Sequence, residues 1–169
     1  MNDFVNPNQR GVALPPGKKD LIDMLPKPGK WYEALKIHLP VESFEQIEAY
    51  LVRLTQSTAK FRSVGILSTN HQERLAVSHE ADHFRLMVNV QPRNAAKEEC
   101  VLDFFSKMGI APISTKTCDL PVMEARILFF PLPLDVPKAA NLIRELLLEV
   151  LGLAEDAGLH FGYYEKNTA

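Results

Sequence analysis

The chain has 169 residues, of which 46% are hydrophobic and 24% charged, and its formal net charge is −2. Such a composition is typical of one soluble globular domain and excludes collagen-like, intrinsically disordered and disulfide-dense secreted chains. The nineteen basic residues are scattered, and Lys18 and Lys19 form the only adjacent pair. Since nucleic-acid binding needs basic residues gathered on one surface, no nucleic-acid partner is predicted.

Hydropathy and cysteine content bear on where the protein acts. No run approaches the roughly eighteen apolar residues of a membrane span, and the first residues lack the basic leader and apolar stretch of a signal peptide. Cys100 on a predicted helix and Cys118 at the end of a predicted strand are interpreted as reduced, packed thiols. The sequence therefore predicts a cytoplasmic protein without a membrane partner.

The chain divides into a proline- and glycine-rich arm over residues 1–30 and a single α+β domain over residues 31–169. Five of the twelve prolines and three of the eight glycines fall in the arm, where they favour turns and semi-extended backbone. Residues 18–25 have the spacing of two helical turns, which is too short for a stable isolated helix. We expect the arm to lie on its own domain or on a neighbouring subunit.

The domain begins with a predicted strand over 31–39 and a predicted helix over 43–59. In the strand, one side carries the apolar residues and the other carries Lys36 and His38; the apolar residues are Trp31, Leu35, Ile37 and Leu39. Pro40 ends the strand. In the helix, apolar residues recur at helical intervals, and Ser43 and Gln46 stand in the spacing of a capping box.

Three strands, a helix and two further strands are predicted next, over residues 62–69, 73–79, 83–91, 95–108, 113–118 and 125–130. Asn94 is placed to cap the helix at its start and Gly109 to end it. The last of these strands is a nearly continuous apolar run between prolines, which is typical of an interior strand of a sheet.

A helix over 136–151, with Asp135 and Pro137 at its start, and a strand over 158–164 complete the pattern. The predicted order is β-α-β-β-β-α-β-β-α-β. Adjacent strands form hairpins, whereas a doubly wound fold needs a helix after nearly every strand. We therefore predict an α+β fold, with a mainly antiparallel sheet and about three helices packed on one face.

One motif could carry chemistry: His79-Glu80-Ala81-Asp82-His83 satisfies the pattern H-E-x-x-H. On a helix, histidines four residues apart can share a zinc ion, and the glutamate polarises the metal-bound water. However, the residues from Phe84 to Gln91 alternate with period two, which predicts a hairpin with its turn at Glu80, Ala81 and Asp82. A helical phasing through Val77, Ala81 and Phe84 is the alternative.

We favour the hairpin and keep a zinc-dependent hydrolase using His79, Glu80 and His83 as the minority hypothesis. Charged residues inside and just after the motif disagree with the buried helix of zinc peptidases, and Glu98 or Glu99 would be a poorly placed third ligand. A weak adventitious metal site across the hairpin remains open, because neutral imidazoles bind metals. No catalytic residue, metal ligand or cofactor is otherwise predicted.

Two further regions have alternative interpretations. The aromatic pairs at Trp31-Tyr32 and Tyr163-Tyr164 are the kind of residue enriched at interfaces, but rings that cover the rim of their own core are the favoured interpretation. The run from Phe129 to Leu134 is either an exposed partner patch or an interior strand that leaves the sheet through a rigid loop. We favour the second.

In element order, residues 43–151 resemble the small α+β chaperones that bind bacterial secretion effectors. The resemblance implies a non-enzymatic binding module that associates with itself or holds a partner peptide on a sheet edge or a helix face. We therefore expect a protein partner or self-association. The alternative function is the zinc-dependent hydrolase.

Overall fold

The computed structural model describes residues 40–69, 73–90, 94–120 and 123–167. In chain order the elements are α1 (Gln46–Gln56), β1 (Phe61–Ser68), β2 (Arg74–His79), β3 (Phe84–Val90), α2 (Ala95–Lys107), β4 (Ser114–Leu120), β5 (Met123–Leu132), α3 (Val136–Glu145), a π-helical turn (Leu146–Val150) and β6 (Leu159–Lys166). The predicted α+β class is confirmed. The predicted strand at 31–39 and the arm at 1–30 lie outside the described residues. No helix in the described ranges has the length and apolar composition to cross a membrane.

The six strands form one sheet in the order β4-β5-β3-β2-β1-β6, and all neighbours are antiparallel. Hairpins join β1 to β2, β2 to β3 and β4 to β5, as the runs of adjacent strands predicted. The last strand returns to pair with β1, so that among the described strands β4 and β6 lie at the two edges. The apolar run near residue 128 lies in β5, inside the sheet as predicted.

The three helices cover one face of the sheet, which we call the helix face. Strand residues at alternate positions point towards the helices, and they form one buried cluster with Leu51, Phe105 and Ile143 from α1, α2 and α3. Phe105 stacks on Phe130 of β5 with ring centroids 4.0 Å apart. Burial of these large side chains against the sheet supplies most of the driving force for folding.

The opposite face, which we call the second face, also carries a buried apolar cluster. Ala76, Met87, Ile127 and Phe129 form it, and each is at most 3% exposed. Alternation with period two is typical of a strand buried on one side, but Met87 and Asn89 on the other side of β3 are buried as well. The sheet is therefore shielded from water on both faces.

The predicted helix caps are confirmed for α2 and α3, and the one predicted for α1 is wrong. The Asn94 side chain accepts a hydrogen bond from the Lys97 amide at 3.0 Å and so caps α2. In the same way, the Asp135 side chain accepts from the Lys138 amide and caps α3. The predicted capping box at Ser43 is wrong. The helix begins at Gln46 after a turn in which the Ser43 carbonyl, not its side chain, accepts from the Gln46 amide at 3.1 Å.

The third helix changes its winding part way along. The prediction of one α-helix over 136–151 holds to Glu145, after which the chain forms a π-helical turn from Leu146 to Val150. A π turn contains an extra residue, which rotates the side chains that follow. Leu146 and Leu147 are buried, and Glu149 is exposed.

Two ion pairs fix the first turn of α2 to the sheet. Lys97 Nζ lies 2.6 Å from the Glu73 carboxylate, just before β2, and Glu98 accepts from Arg126 Nε of β5 at 3.1 Å. The Glu73 side chain is 7% exposed. Since a buried carboxylate without a cation is costly, the helix is held at a defined position.

We predict that Lys97→Met destabilises the protein by about 3 kcal/mol, because it removes the cation beside a buried carboxylate. Urea denaturation followed by circular dichroism measures the free energy of unfolding. The control is Lys107→Met, at an exposed position in the last turn of the same helix. Equal losses in the two variants would contradict a structural role for the Glu73–Lys97 pair.

Candidate functional site

The candidate metal motif lies at the tip of the β2–β3 hairpin. β2 ends at His79, β3 begins at Phe84, and the Glu80 amide donates to the His83 carbonyl at 2.9 Å. The predicted hairpin is confirmed, but its turn is one residue shorter than predicted, because Glu80 still pairs across the strands. Only Ala81 and Asp82 form the tip.

This register places the two histidines of the motif on opposite faces of the hairpin. His79 pairs with Phe84, and both belong to the helix face, where their rings meet edge to face at 5.5 Å. Glu80 and His83 are one position further along, so they belong to the second face. There, Glu80 accepts from Ser78 Oγ at 3.1 Å, and His83 Nδ1 lies 2.6 Å from Asp82.

The zinc hypothesis needs both histidines on one side of a helix, and this segment forms no helix. Glu98 and Glu99 lie on α2, near the Val90 end of β3, whereas His83 precedes its Phe84 end. In the described ranges, no group of three metal-binding side chains comes together. The arrangement of His79, Glu80 and His83 therefore does not support the chemistry of a zinc hydrolase.

Arg62 of β1 gives His79 a structural partner. The Arg62 guanidinium donates to the carbonyls of Leu54 at 2.7 Å and Ala59 at 2.6 Å, and its Nη2 lies 2.8 Å from His79 Nδ1. Because the guanidinium has only donors, Nδ1 must accept and carries no proton in this arrangement. Arg62 thus joins the end of α1, the connection to β1 and the hairpin.

Burial, and then the nearby positive charge of Arg62, lower the pKa of His79, while Glu80 opposes the shift. A histidine with a lowered pKa in the folded protein binds its proton more readily in the unfolded chain. Between about pH 7 and pH 5 the unfolded chain therefore binds more protons, and the free energy of unfolding falls as the pH falls. The hairpin contact to Arg62 is expected to weaken in acid.

We predict that His79→Asn reduces this acid sensitivity, because the asparagine amide oxygen accepts from Arg62 and does not titrate. Chemical denaturation at several values between pH 7 and pH 5 measures it. The comparison variant is His83→Asn, at the other histidine of the hairpin, which separates an effect specific to His79 from the loss of any hairpin histidine. An unchanged slope in His79→Asn would show that its titration does not contribute.

The aromatic residues near the end of β6 pack within their own domain. The Arg53 guanidinium lies 3.7 Å above the Tyr163 ring, and the Tyr163 hydroxyl donates to Glu165 at 2.6 Å. Burial, and then this hydrogen bond, raise the pKa of Tyr163 to about 12. Tyr164 meets Phe61 edge on. The favoured interpretation, a covered core rim, holds for this pair, whereas Trp31 and Tyr32 lie outside the described residues.

The cysteine prediction was partly wrong. Cys100 is exposed rather than packed, because the buried side of α2 is formed by Val101, Phe104 and Phe105, and Cys100 falls on its flank. Cys118 lies in β4, opposite Ala125 of β5. An exposed thiol alone does not indicate nucleophilic chemistry, since catalysis also needs a base or a cation to form the thiolate.

The segment from Phe129 to Leu134 follows the favoured interpretation. Phe129, Phe130 and Leu132 are buried in β5, and only Leu134, in the loop that follows, is markedly exposed at 37%. The alternative interpretation, an exposed partner patch over this run, does not fit these buried side chains.

Among the strand residues whose exposure is described, those of β4 are the most exposed. This strand pairs with β5 on one side only, and all residues from 111 to 117 are exposed. Two exposed apolar side chains precede it, Met108 at 38% and Ile113 at 49%. The Ile113 amide donates to the Phe129 carbonyl at 2.7 Å, so the backbone at Ile113 is held to the sheet.

Sequence reasoning did not identify this edge. The signal was the composition of residues 114–117, Ser-Thr-Lys-Thr, which is polar at both alternating positions. A strand that is polar on both sides and carries a lysine is typical of the edge of a sheet. Compared with known proteins, the chain matches no family model, no curated protein and no solved structure. The candidate site therefore depends on geometry alone.

Proposed function

We propose that the protein is a non-enzymatic interaction module that holds an extended segment of a partner protein along β4. The observation that carries this proposal is an exposed edge strand with two exposed apolar side chains, Met108 and Ile113, beside it. Strand addition of this kind gains main-chain hydrogen bonds along the edge, and pockets or anchors for side chains provide specificity.

The two edges of the sheet differ in a way that supports β4 over β6. At the β6 edge, Glu42 exchanges two backbone hydrogen bonds with Leu159, each of 2.8 Å. Along β4, no described residue forms a corresponding contact on the outer side. A partner strand at β4 would therefore pair along a side on which no described strand lies.

The two exposed apolar side chains beside β4, Met108 and Ile113, determine which kind of partner residue can bind there. Ile113 lies immediately before β4, and Met108 lies on the same connection from α2, so an apolar residue of the partner can bury against them. Removing this surface from water adds a favourable term that a purely polar edge lacks. We infer that the partner segment is extended and carries at least one large apolar residue.

The element order over 43–151, which resembles effector-binding chaperones, agrees with a binding module, although fold likeness alone is weak support for function. The same edge would also accept β4 of a second copy, so self-association is the related form of this proposal. We place the protein in the cytosol, where an exposed thiol such as Cys100 stays reduced.

The proposal is tested by selecting binders from a library of random displayed dodecapeptides. We predict that the selected peptides carry large apolar residues, and that Ile113→Asp weakens their binding about tenfold or more, since it removes roughly 1.5 kcal/mol of apolar burial. Fluorescence polarisation measures the dissociation constants. Amide hydrogen exchange should show new protection in β4 when the peptide is bound.

The matched control is Val41→Asp, which introduces the same charge at an exposed apolar residue next to Glu42, whose bridge to Leu159 of β6 lies at the opposite edge of the described sheet. It should leave peptide binding unchanged. Selected peptides that bind both variants equally well, or that protect amides elsewhere, would overturn the assignment to β4. Light scattering over a range of protein concentrations separates self-association from binding to a different protein.

A further inference from the structure

The second face of the sheet is buried although the described helices lie on the other side. Ala76, Met87, Ile127 and Phe129 form its apolar cluster, and among the described residues the one partly buried hydrophobic side chain packed against it is Phe61. A sheet whose second side is also apolar needs a second layer to exclude water. Something beyond the described elements must therefore provide that layer.

The polar residues on this face lead to the same conclusion. Arg74 and Asn89 pair directly across β2 and β3, and both are 6% exposed. Burial lowers the pKa of Arg74 to about 10. An arginine in the middle of an open, solvated sheet face would not be desolvated in this way.

Side-chain size falls steadily along the central row of the second face. From β5 to β6 the row reads Phe129, Met87, Ala76, Gly65 and Gly162, each paired with the next. A methyl group at Gly65 would make only an ordinary contact, 3.8 Å from the Gly162 carbonyl oxygen. Gly65 is therefore not required by close backbone approach. Because Gly65 and Gly162 carry no side chain, they leave room near β6 for large side chains from a covering layer.

The first described residue, Pro40, lies close to the β6 end of this central row. The Pro40 carbonyl lies 3.1 Å from His160 Nδ1 of β6. His160 pairs with Leu67 and alternates with the helix-face residues Leu159 and Phe161, so it belongs to the second face. Residues 1–39 thus join the domain at the edge of the second face, next to the glycines.

We propose that residues 1–39 form the covering layer of the second face. Their alternating apolar residues, Trp31, Leu35, Ile37 and Leu39, would lie against the row of small side chains near β6. The apolar side of the short helical pattern at 18–25 would lie further along, over Met87 and Phe129.

Residues 1–39 are long enough to extend across the second face from β6 to β5. Four strand spacings separate β6 from β5, or about 19 Å at about 4.8 Å each. About six extended residues cover that distance, and thirty-nine precede Pro40. Because the segment is tethered at the rim of the face, its effective concentration is about millimolar. A second copy of the chain would have to compete with it.

Site-specific photocrosslinking in the full chain tests the proposal. Benzoylphenylalanine replaces Ile37, which belongs to the apolar side of the predicted strand, or Lys36 as the matched control on the other side. We expect the probe at position 37 to form intramolecular products with β1, β2, β3 or β6, several-fold more than the probe at position 36. Products mainly on α1, α2 or α3, or mainly between chains, would overturn the proposal.

The single tryptophan provides a second readout in the unmodified protein. If residues 1–39 cover the second face, Trp31 is several-fold less accessible to acrylamide than free tryptophan amide, at every protein concentration and in a monomer by light scattering. Protection of Trp31 that appears only as dimers form would assign the layer to a second copy. Full accessibility at all concentrations would also overturn the proposal. None of these outcomes depends on peptide binding at β4.

Discussion

Side chains alternate between the two faces of a sheet at every residue, and a shift of one position moves a residue to the other face. In the β2–β3 hairpin this alternation separates His79, beside Phe84 on the helix face, from His83 on the second face. A spacing of four residues brings two histidines together on one side of a helix. Across a hairpin with a two-residue turn, the same spacing places them on opposite faces of the sheet. Backbone pairing, and not the identity of the motif residues, therefore determines which chemistry is available.

The same alternation creates two apolar faces, and the three described helices cover only one of them. The helix face explains why apolar residues recur at alternate positions of β3 and β5. The second face explains why Met87, which follows Leu86 in β3, is buried as deeply as Leu86. A sheet with two apolar faces needs a layer on each face to exclude water. The edges are treated separately: residues 40–42 shield the start of β6, whereas β4 remains accessible.

Most helices and strands could be predicted because their signals are local. Alternation in β3 and the caps at Asn94 and Asp135 act within a few residues. The strand order could not be predicted, since β6 pairs with β1 across about ninety residues of sequence, and neither could the contacts of Arg62 with Leu54 and His79. The exposure of Cys100 depends on the side of α2 that meets the sheet. The candidate edge at β4 follows from that order, and so it emerged only from the structure.

Lys97 and Glu98 are neighbours with opposite charges, and each is matched by a different part of the sheet, Glu73 before β2 and Arg126 in β5. A change at one position of either pair leaves a poorly hydrated charge behind, whereas exchange of both charges restores the match. In any relative of this chain, the two positions of each pair should therefore vary together. Such joint variation, 24 and 28 residues apart, would mark common ancestry after most of the surface had diverged.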